Sequence, residues 1–210
     1  MGNDGEAMKT TKRYALLLIV ALALGASPVS AEEGYREIVI PGVPVFNASP
    51  DDVPDDGVRV LLDDRNRWVL GYKAKSRDRS LVELVRKGQT IETALNVVRI
   101  LEFPHRQGID LESFYETYVE EMKEKSDFLF IHRMLAKSPF YIKFEITVID
   151  GYDVVESILG KVASGRDGMW VLTYSTRDIP VKEELRKDMS DFINLSEVIN
   201  FKALQDQLNS

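Results

Sequence analysis

The chain has 210 residues, 44% of them hydrophobic, a formal net charge of −7 and no cysteine. Length and apolar content fit one globular domain with terminal extensions, and an acidic chain without a Lys/Arg cluster is poorly suited to neutralising nucleic-acid phosphates. The lack of cysteine excludes a thiol nucleophile, a thiolate metal site, a disulfide staple and a lipid-modified N-terminal cysteine.

Residues 1–31 read as a secretory signal peptide: Lys9, Lys12 and Arg13 lead an apolar run over 15–24, and Val29-Ser30-Ala31 supplies small residues for cleavage after Ala31. The run is shorter than the ~20 apolar residues that span a bilayer, so no membrane span is expected after cleavage. Met8-Lys9 is where the usual signal pattern starts. Cleavage leaves 24 basic and 32 acidic residues, a net charge of −8, on a periplasmic protein. Residues 32–57 read as a Pro- and Asp-rich arm or linker. Pro41, Pro44, Pro50 and Pro54 limit the run Ile38-Val39-Ile40 to an edge strand or an extended arm. Asp51, Asp52, Asp55 and Asp56 lack the order and the bidentate Glu of a calcium loop, so the cluster reads as solvated.

The compact domain spans 58–195. Val58 to Leu62 is apolar, Asp63 to Asn66 is turn-like, and Trp68, Leu70, Tyr72 and Ala74 share one face of a second strand, which predicts a hairpin. A third strand, Leu81 to Val85, returns beside the second, and the short turns make the sheet antiparallel. Residues 90–103 fit a short helical turn followed by a strand. Asp110 caps the clearest helix, over 110–125, with Leu111, Phe114, Tyr115, Tyr118 and Met122 on one face. A strand over 128–135 precedes the most regular strand, over 140–148. There Phe140, Ile142, Phe144, Ile146 and Val148 alternate with Tyr141, Lys143, Glu145 and Thr147, a face that another element would partly cover. Gly165-Arg166-Asp167-Gly168 forms the loop before a strand over 169–177. Val181, Leu185, Met189, Phe192 and Ile193 mark a second helix over 181–193. The remaining segment, 196–210, is a C-terminal tail that is either a docked helix or a frayed end. The fold class is therefore α+β: an antiparallel sheet of about six to seven strands with helices packed on it.

No catalytic set stands out. His105 lies in a polar loop and His132 in an apolar strand, they are not spaced as a ligand pair, and no Gly-x-Ser-x-Gly elbow presents a serine to either. Gly160, Gly165 and Gly168 precede a strand, whereas a phosphate cradle opens a helix, so they read as turn glycines. Glu83, Glu145, Asp150 and Glu156 are the carboxylates that folding would have to bring together for a paired-carboxylate hydrolase. Glu145 is expected to pair with Lys143 or Arg177. No catalytic, cofactor-binding or metal-binding residue is assigned, and no cofactor is expected.

The stretches Leu81-Val82-Glu83-Leu84-Val85-Arg86-Lys87-Gly88-Gln89-Thr90 and Gly165-Arg166-Asp167-Gly168-Met169-Trp170-Val171-Leu172-Thr173-Tyr174 resemble segments of a group of uncharacterised bacterial exported proteins. The order of elements is similar to that of PsbP/Mog1/DcrB-like α/β/α sandwich proteins. That resemblance implies an accessory or binding role without an active site, and it carries over no functional residue. The expected function is a soluble periplasmic accessory or binding protein whose partner is an envelope protein or a small-molecule ligand. Two alternatives stand beside it: an envelope hydrolase using His132 or convergent carboxylates, and a structural subunit of an envelope assembly whose arm over 35–57 adds a strand to a partner.

Overall fold

The computed structural model describes residues 35–41, 56–63, 67–76, 78–104, 106 and 108–200. The signal-peptide reading, most of the acidic cluster and His105 lie outside these residues. In chain order the elements are β1 (Tyr35–Pro41), β2 (Asp56–Asp63), β3 (Trp68–Lys75), β4 (Ser80–Arg86), β5 (Asn96–Pro104) and α1 (Leu111–Glu124). They continue with β6 (Leu129–Lys137), β7 (Tyr141–Asp150), β8 (Asp153–Ser164), β9 (Gly168–Thr176), α2 (Glu183–Leu195) and β10 (Glu197–Asn200). Seven strands form one antiparallel sheet in the order β3-β4-β5-β9-β8-β7-β6, and β1, β2 and β10 form a second, small sheet in the order β1-β2-β10. This is the α+β architecture expected from the alternating strands. Helix α1 covers one face of the large sheet, while α2 and the small sheet cover the other.

The middle strand, β9, is buried along its whole length, which its apolar and hydroxyl-bearing sequence tolerates. In β7 the alternation places Ile142, Phe144, Ile146 and Val148 under α1, and the intervening face is half-buried as its mixed chemistry requires. Phe140 falls just before the strand and is 71% exposed. Opposite Phe144 stands Gly160 of β8, and the far end of the phenyl ring lies over it. A Cβ at Gly160 would sit 2.2–2.7 Å from three ring carbons, so glycine is what admits the ring.

Helix α1 begins where Asp110 accepts a hydrogen bond from the Ser113 backbone N–H at 2.9 Å. It buries Leu111, Phe114, Tyr115 and Val119, with Phe114 edge-on to Phe103 at 5.1 Å. Leu185, Met189, Phe192 and Ile193 recur along one stripe of α2 and close the second core over Val58, Val60, Leu62, Trp170, Leu172 and Tyr174. The lack of a side chain matters at the β8–β9 turn, where Gly165 donates to the Gly168 carbonyl at 2.8 Å and a Cβ at Gly168 would meet the Phe103 carbonyl at 2.3 Å. Both outer strands of the large sheet carry a bulge, between Leu70 and Tyr72 in β3 and between Met134 and Ala136 in β6. Such bulges twist an open edge away from pairing with another chain.

Two expectations are corrected. β2 and β3 are not a hairpin: β2 pairs with β1 and β10, while β3 pairs with β4. The physical reason lies in burial. Six of the eight residues of β2 are buried, so it serves as an inner strand beneath α2 and not as a half-solvated partner of the mostly exposed β3. The segment after α2 is also not helical where it is described. Glu197–Asn200 adds a strand to β2, with Val198 opposite Val58.

Candidate functional site

His132 lies on edge strand β6, exposed, with its Nδ1 3.0 Å from the Tyr115 hydroxyl. No carboxylate bonds to it among the described residues. A general base of the triad type needs an acid to fix its tautomer and a nucleophile within reach, and the hydroxyl of Tyr115, a buried residue of α1, supplies neither.

The carboxylates do converge in part. Glu83 on β4 and Glu156 on β8 both face Arg99 of β5, whose Nε donates to Glu83 Oε1 at 2.6 Å and whose Nη1 lies 3.8 Å from Glu156 Oε1. Nη1 also reaches Ser175 Oγ at 3.4 Å. The phenol of Tyr118, pushed up to about 12 by burial against the pull of Arg99, closes the cluster from α1. Arg99 stands between the two acids and joins β4, β5 and β8 as a structural ion-pair cluster. Asp150 stands apart at the β7–β8 turn.

Glu145 is bridged by Arg133 at 2.5 Å and Arg186 at 3.1 Å, which replaces the expected pairing with Lys143 or Arg177. Arg133 is directly across the ladder from Glu145, and Arg186 descends from α2, so geometry favours both over a same-strand neighbour. Lys143 donates to Asn194 Oδ1 at 2.6 Å. Burial raises the Glu145 pKa, but the two arginine hydrogen bonds outweigh it and hold the carboxyl below its usual value.

Of the acidic cluster, Asp56 is described and is buried. Its carboxylate accepts the Asp167 N–H at 2.9 Å and fixes the β8–β9 turn against β2. Lys161, also buried, donates to the Ile193 carbonyl at 2.8 Å and to the Ser196 carbonyl, tying the C-terminus of α2 to the sheet. Burial, helped by the Lys143 charge, lowers its pKa to about 8.

A different place gathers polar groups on one side of the large sheet. Between the first turns of α2, the end of β2 and the large sheet lies a cleft of about 270 Å³, lined by Asp63, Arg86, Asn96, Asp178, Lys182, Glu184, Leu185 and Asp188. Arg86 and Asn96 share a sheet face with Leu84 and Val98, so the polar wall continues an apolar one. Behind it, Trp68 packs edge-on against Tyr174, with ring centroids 5.4 Å apart. Burial pushes the Tyr174 phenol up to about 12, with Asp188 and Asp63 adding to the rise and Arg86 opposing it. The hydroxyl is therefore close to the charged groups of the cleft, yet it makes no hydrogen bond of normal geometry. Trp68 Nε1, Arg86 Nε and Asn96 Oδ1 are likewise buried without a partner. Together with the Tyr174 hydroxyl they are four of the six such side-chain atoms among the described residues. Native interiors leave few polar atoms unbonded, and of these four Arg86 Nε and Asn96 Oδ1 belong to residues of the cleft wall. Sequence reasoning passed over this cleft. The available signal was polar residues on apolar stripes: Arg86 and Asn96 on strand faces that are otherwise aliphatic, and Asp188 between Leu185 and Phe192.

No group of three or more His, Asp or Glu side chains suited to hold a metal occurs among the described residues. No helix among them is long and apolar enough to cross a membrane. No protein-family model matches the sequence, and no curated protein matches it. Among solved structures, the chain is similar to cyanobacterial PsbP (CyanoP) from Synechocystis sp. PCC 6803, at 13% identity and a TM-score of 0.51, covering 84% of this chain and 99% of that one. An α1-covered antiparallel sheet with α2 on its other face, matched over nearly all of that protein, gives this chain a PsbP-like fold.

Proposed function

We propose that the chain is an exported accessory or binding protein of the cell envelope that performs no catalysis. The observation that carries this reading is how the reactive side chains are employed. His132 bonds to Tyr115, Glu83 and Glu156 are held by Arg99, Glu145 is held by two arginines, and Lys161 secures a helix end. Each is engaged in holding elements together, and no nucleophile sits beside an acid and a base among the described residues. The PsbP-like fold agrees with the reading, and fold alone does not fix function.

The periplasmic address rests on the sequence of residues 1–31, and fractionation of cells expressing the tagged chain tests it: the reading expects a shortened form in the periplasmic fraction. A hydrolase panel tests the absence of catalysis. Turnover by the purified chain that disappears in His132→Ala, or in Glu83→Gln, would overturn the proposal. The strand-donating subunit is less favoured, because β1 already pairs along its length with β2 of its own chain.

A further inference from the structure

We propose that the sheet face at the β6 end of the molecule docks a partner protein through an apolar segment flanked by Lys or Arg. The ladder builds this face. Leu129 of β6 stands opposite Ile149 of β7, Ile149 stands opposite Val154 of β8, and Ile131 stands opposite Thr147 in the next row. The same side of β7 carries Glu145, where Arg186 of α2 reaches the sheet, and these rows lie beyond that contact. Leu129 is 61% exposed, Ile131 53% and Val154 39%, and neither they nor the half-buried Ile149 belong to the cores under α1 and α2. Aliphatic side chains on three neighbouring strands, left outside both cores, form an association surface.

Charge identifies the occupant. Asp127 lies two residues before Leu129, and Asp150 and Asp153 flank the β7–β8 turn beside the patch. All three are exposed, and none makes an ion pair among the described residues. Asp150 is directly across the ladder from Asp153, an arrangement of like charges that costs stability and that a cation beside them relieves. The cation on that side of β6, Arg133, is committed to Glu145. At the tip of the turn Tyr152 is fully exposed, a ring over which a partner's Lys or Arg can lie. A second copy would bring another set of the same aspartates to the rim, and an anionic membrane surface would be repelled by them, so neither matches this face. The bulge in β6 discourages a strand added at the edge, so the partner lies across the face. The inference rests on the accessory reading above and names the chemistry of its partner.

The test selects binders to the immobilised purified chain from a phage-displayed library of random short peptides. Selected peptides should carry an apolar run flanked by Lys or Arg. A synthetic copy of one, titrated by fluorescence anisotropy, should bind Leu129→Ser/Ile131→Ser about tenfold or more weakly than wild type, since the apolar contact is gone. It should bind Asp150→Asn/Asp153→Asn about threefold or more weakly, with an affinity that responds less to salt. Asp78→Asn/Glu116→Gln, which removes two exposed acids elsewhere, should bind as wild type does. Every substituted side chain is exposed, so all three variants should unfold at the wild-type denaturant concentration or above it. Selection of no common peptide, or of acidic ones, would overturn the proposal, as would unchanged affinity in either patch variant or an equal loss in the Asp78/Glu116 variant. So would self-association of wild type, or its binding to phosphatidylglycerol vesicles, that Leu129→Ser/Ile131→Ser abolishes. Failure of the peptide arm leaves the absence of catalysis untouched, and turnover on the hydrolase panel would contradict that reading while leaving the docking face standing.

Discussion

Gly160 offers the sharpest test of the packing between β7 and β8. Changing it to alanine puts a methyl carbon 2.2–2.7 Å from three carbons of the Phe144 ring, where ordinary contact requires 3.4 Å or more. Phe144 is fully buried and is itself packed by Tyr115 at 5.4 Å and Tyr118 at 6.2 Å, so the ring cannot simply swing aside. Overpacking of this kind costs about 1–3 kcal/mol. Loss of glycine's freedom in the unfolded chain returns about 0.4–1 kcal/mol, and the net destabilisation should be about 1–2 kcal/mol. For a chain of this size that lowers the melting temperature by roughly 2–8 °C. Urea unfolding followed by tryptophan fluorescence measures it, since Trp68 and Trp170 are both buried, and the denaturant slope should stay the same. The decisive arm is a double-mutant cycle. In a Phe144→Ala background, which alone costs about 3–5 kcal/mol, Gly160→Ala should be neutral or stabilising by up to about 1 kcal/mol, giving a coupling of about 1–3 kcal/mol. A Gly160→Ala protein as stable as wild type, or the same cost in both backgrounds, would refute the reasoning.

Other outcomes follow from the polar pairs. Arg99→Met leaves Glu83, whose side chain is only 10% exposed, without its cation and should cost about 3 kcal/mol in chemical denaturation, most of which Arg99→Met/Glu83→Met recovers. Glu145 has a lowered folded-state pKa, so its contribution is complete above the unfolded carboxyl value and is lost as pH falls through the depressed one. The wild-type minus Glu145→Gln stability difference should therefore shrink on acidification below pH 4.5, and a difference independent of pH would refute it. Lys161 follows the same sign in a higher window, because its folded-state pKa is lowered too. The unfolded chain holds a proton that the folded one has released between about 8 and 10.5, so wild-type stability should rise over that range relative to Lys161→Met, whose curve lacks the rise. Asp110→Ala should lower the melting temperature and fray the first turn of α1 in amide exchange, because the Ser113 N–H loses its acceptor.

What was legible in the sequence was whatever a local period encodes. The alternation in β7, the stripe of α1 with its Asp110 cap and the Gly-x-x-Gly turn before β9 each follow from a few neighbouring residues. Strand pairing is not local. Asp63 to Asn66 has turn composition, and only the burial of β2 beneath α2 reveals that the chain changes sheets there. The partners of Glu145 escaped for a similar reason: one comes from the neighbouring strand and the other from a helix 41 positions further on. The cleft is the extreme case, since its lining runs from Asp63 to Asp188 and no window of sequence contains it. Its only trace is a misplaced polarity at Arg86, Asn96 and Asp188, which a period-based reading absorbs as noise.

The claim that the reactive side chains hold elements together and do no chemistry is tested most directly by incubating the purified chain with ester, amide, glycoside and phosphate substrates and following each by mass spectrometry. Every substrate should be recovered unaltered from wild type, His132→Ala and Glu83→Gln alike. Turnover by wild type that disappears in either variant would contradict it.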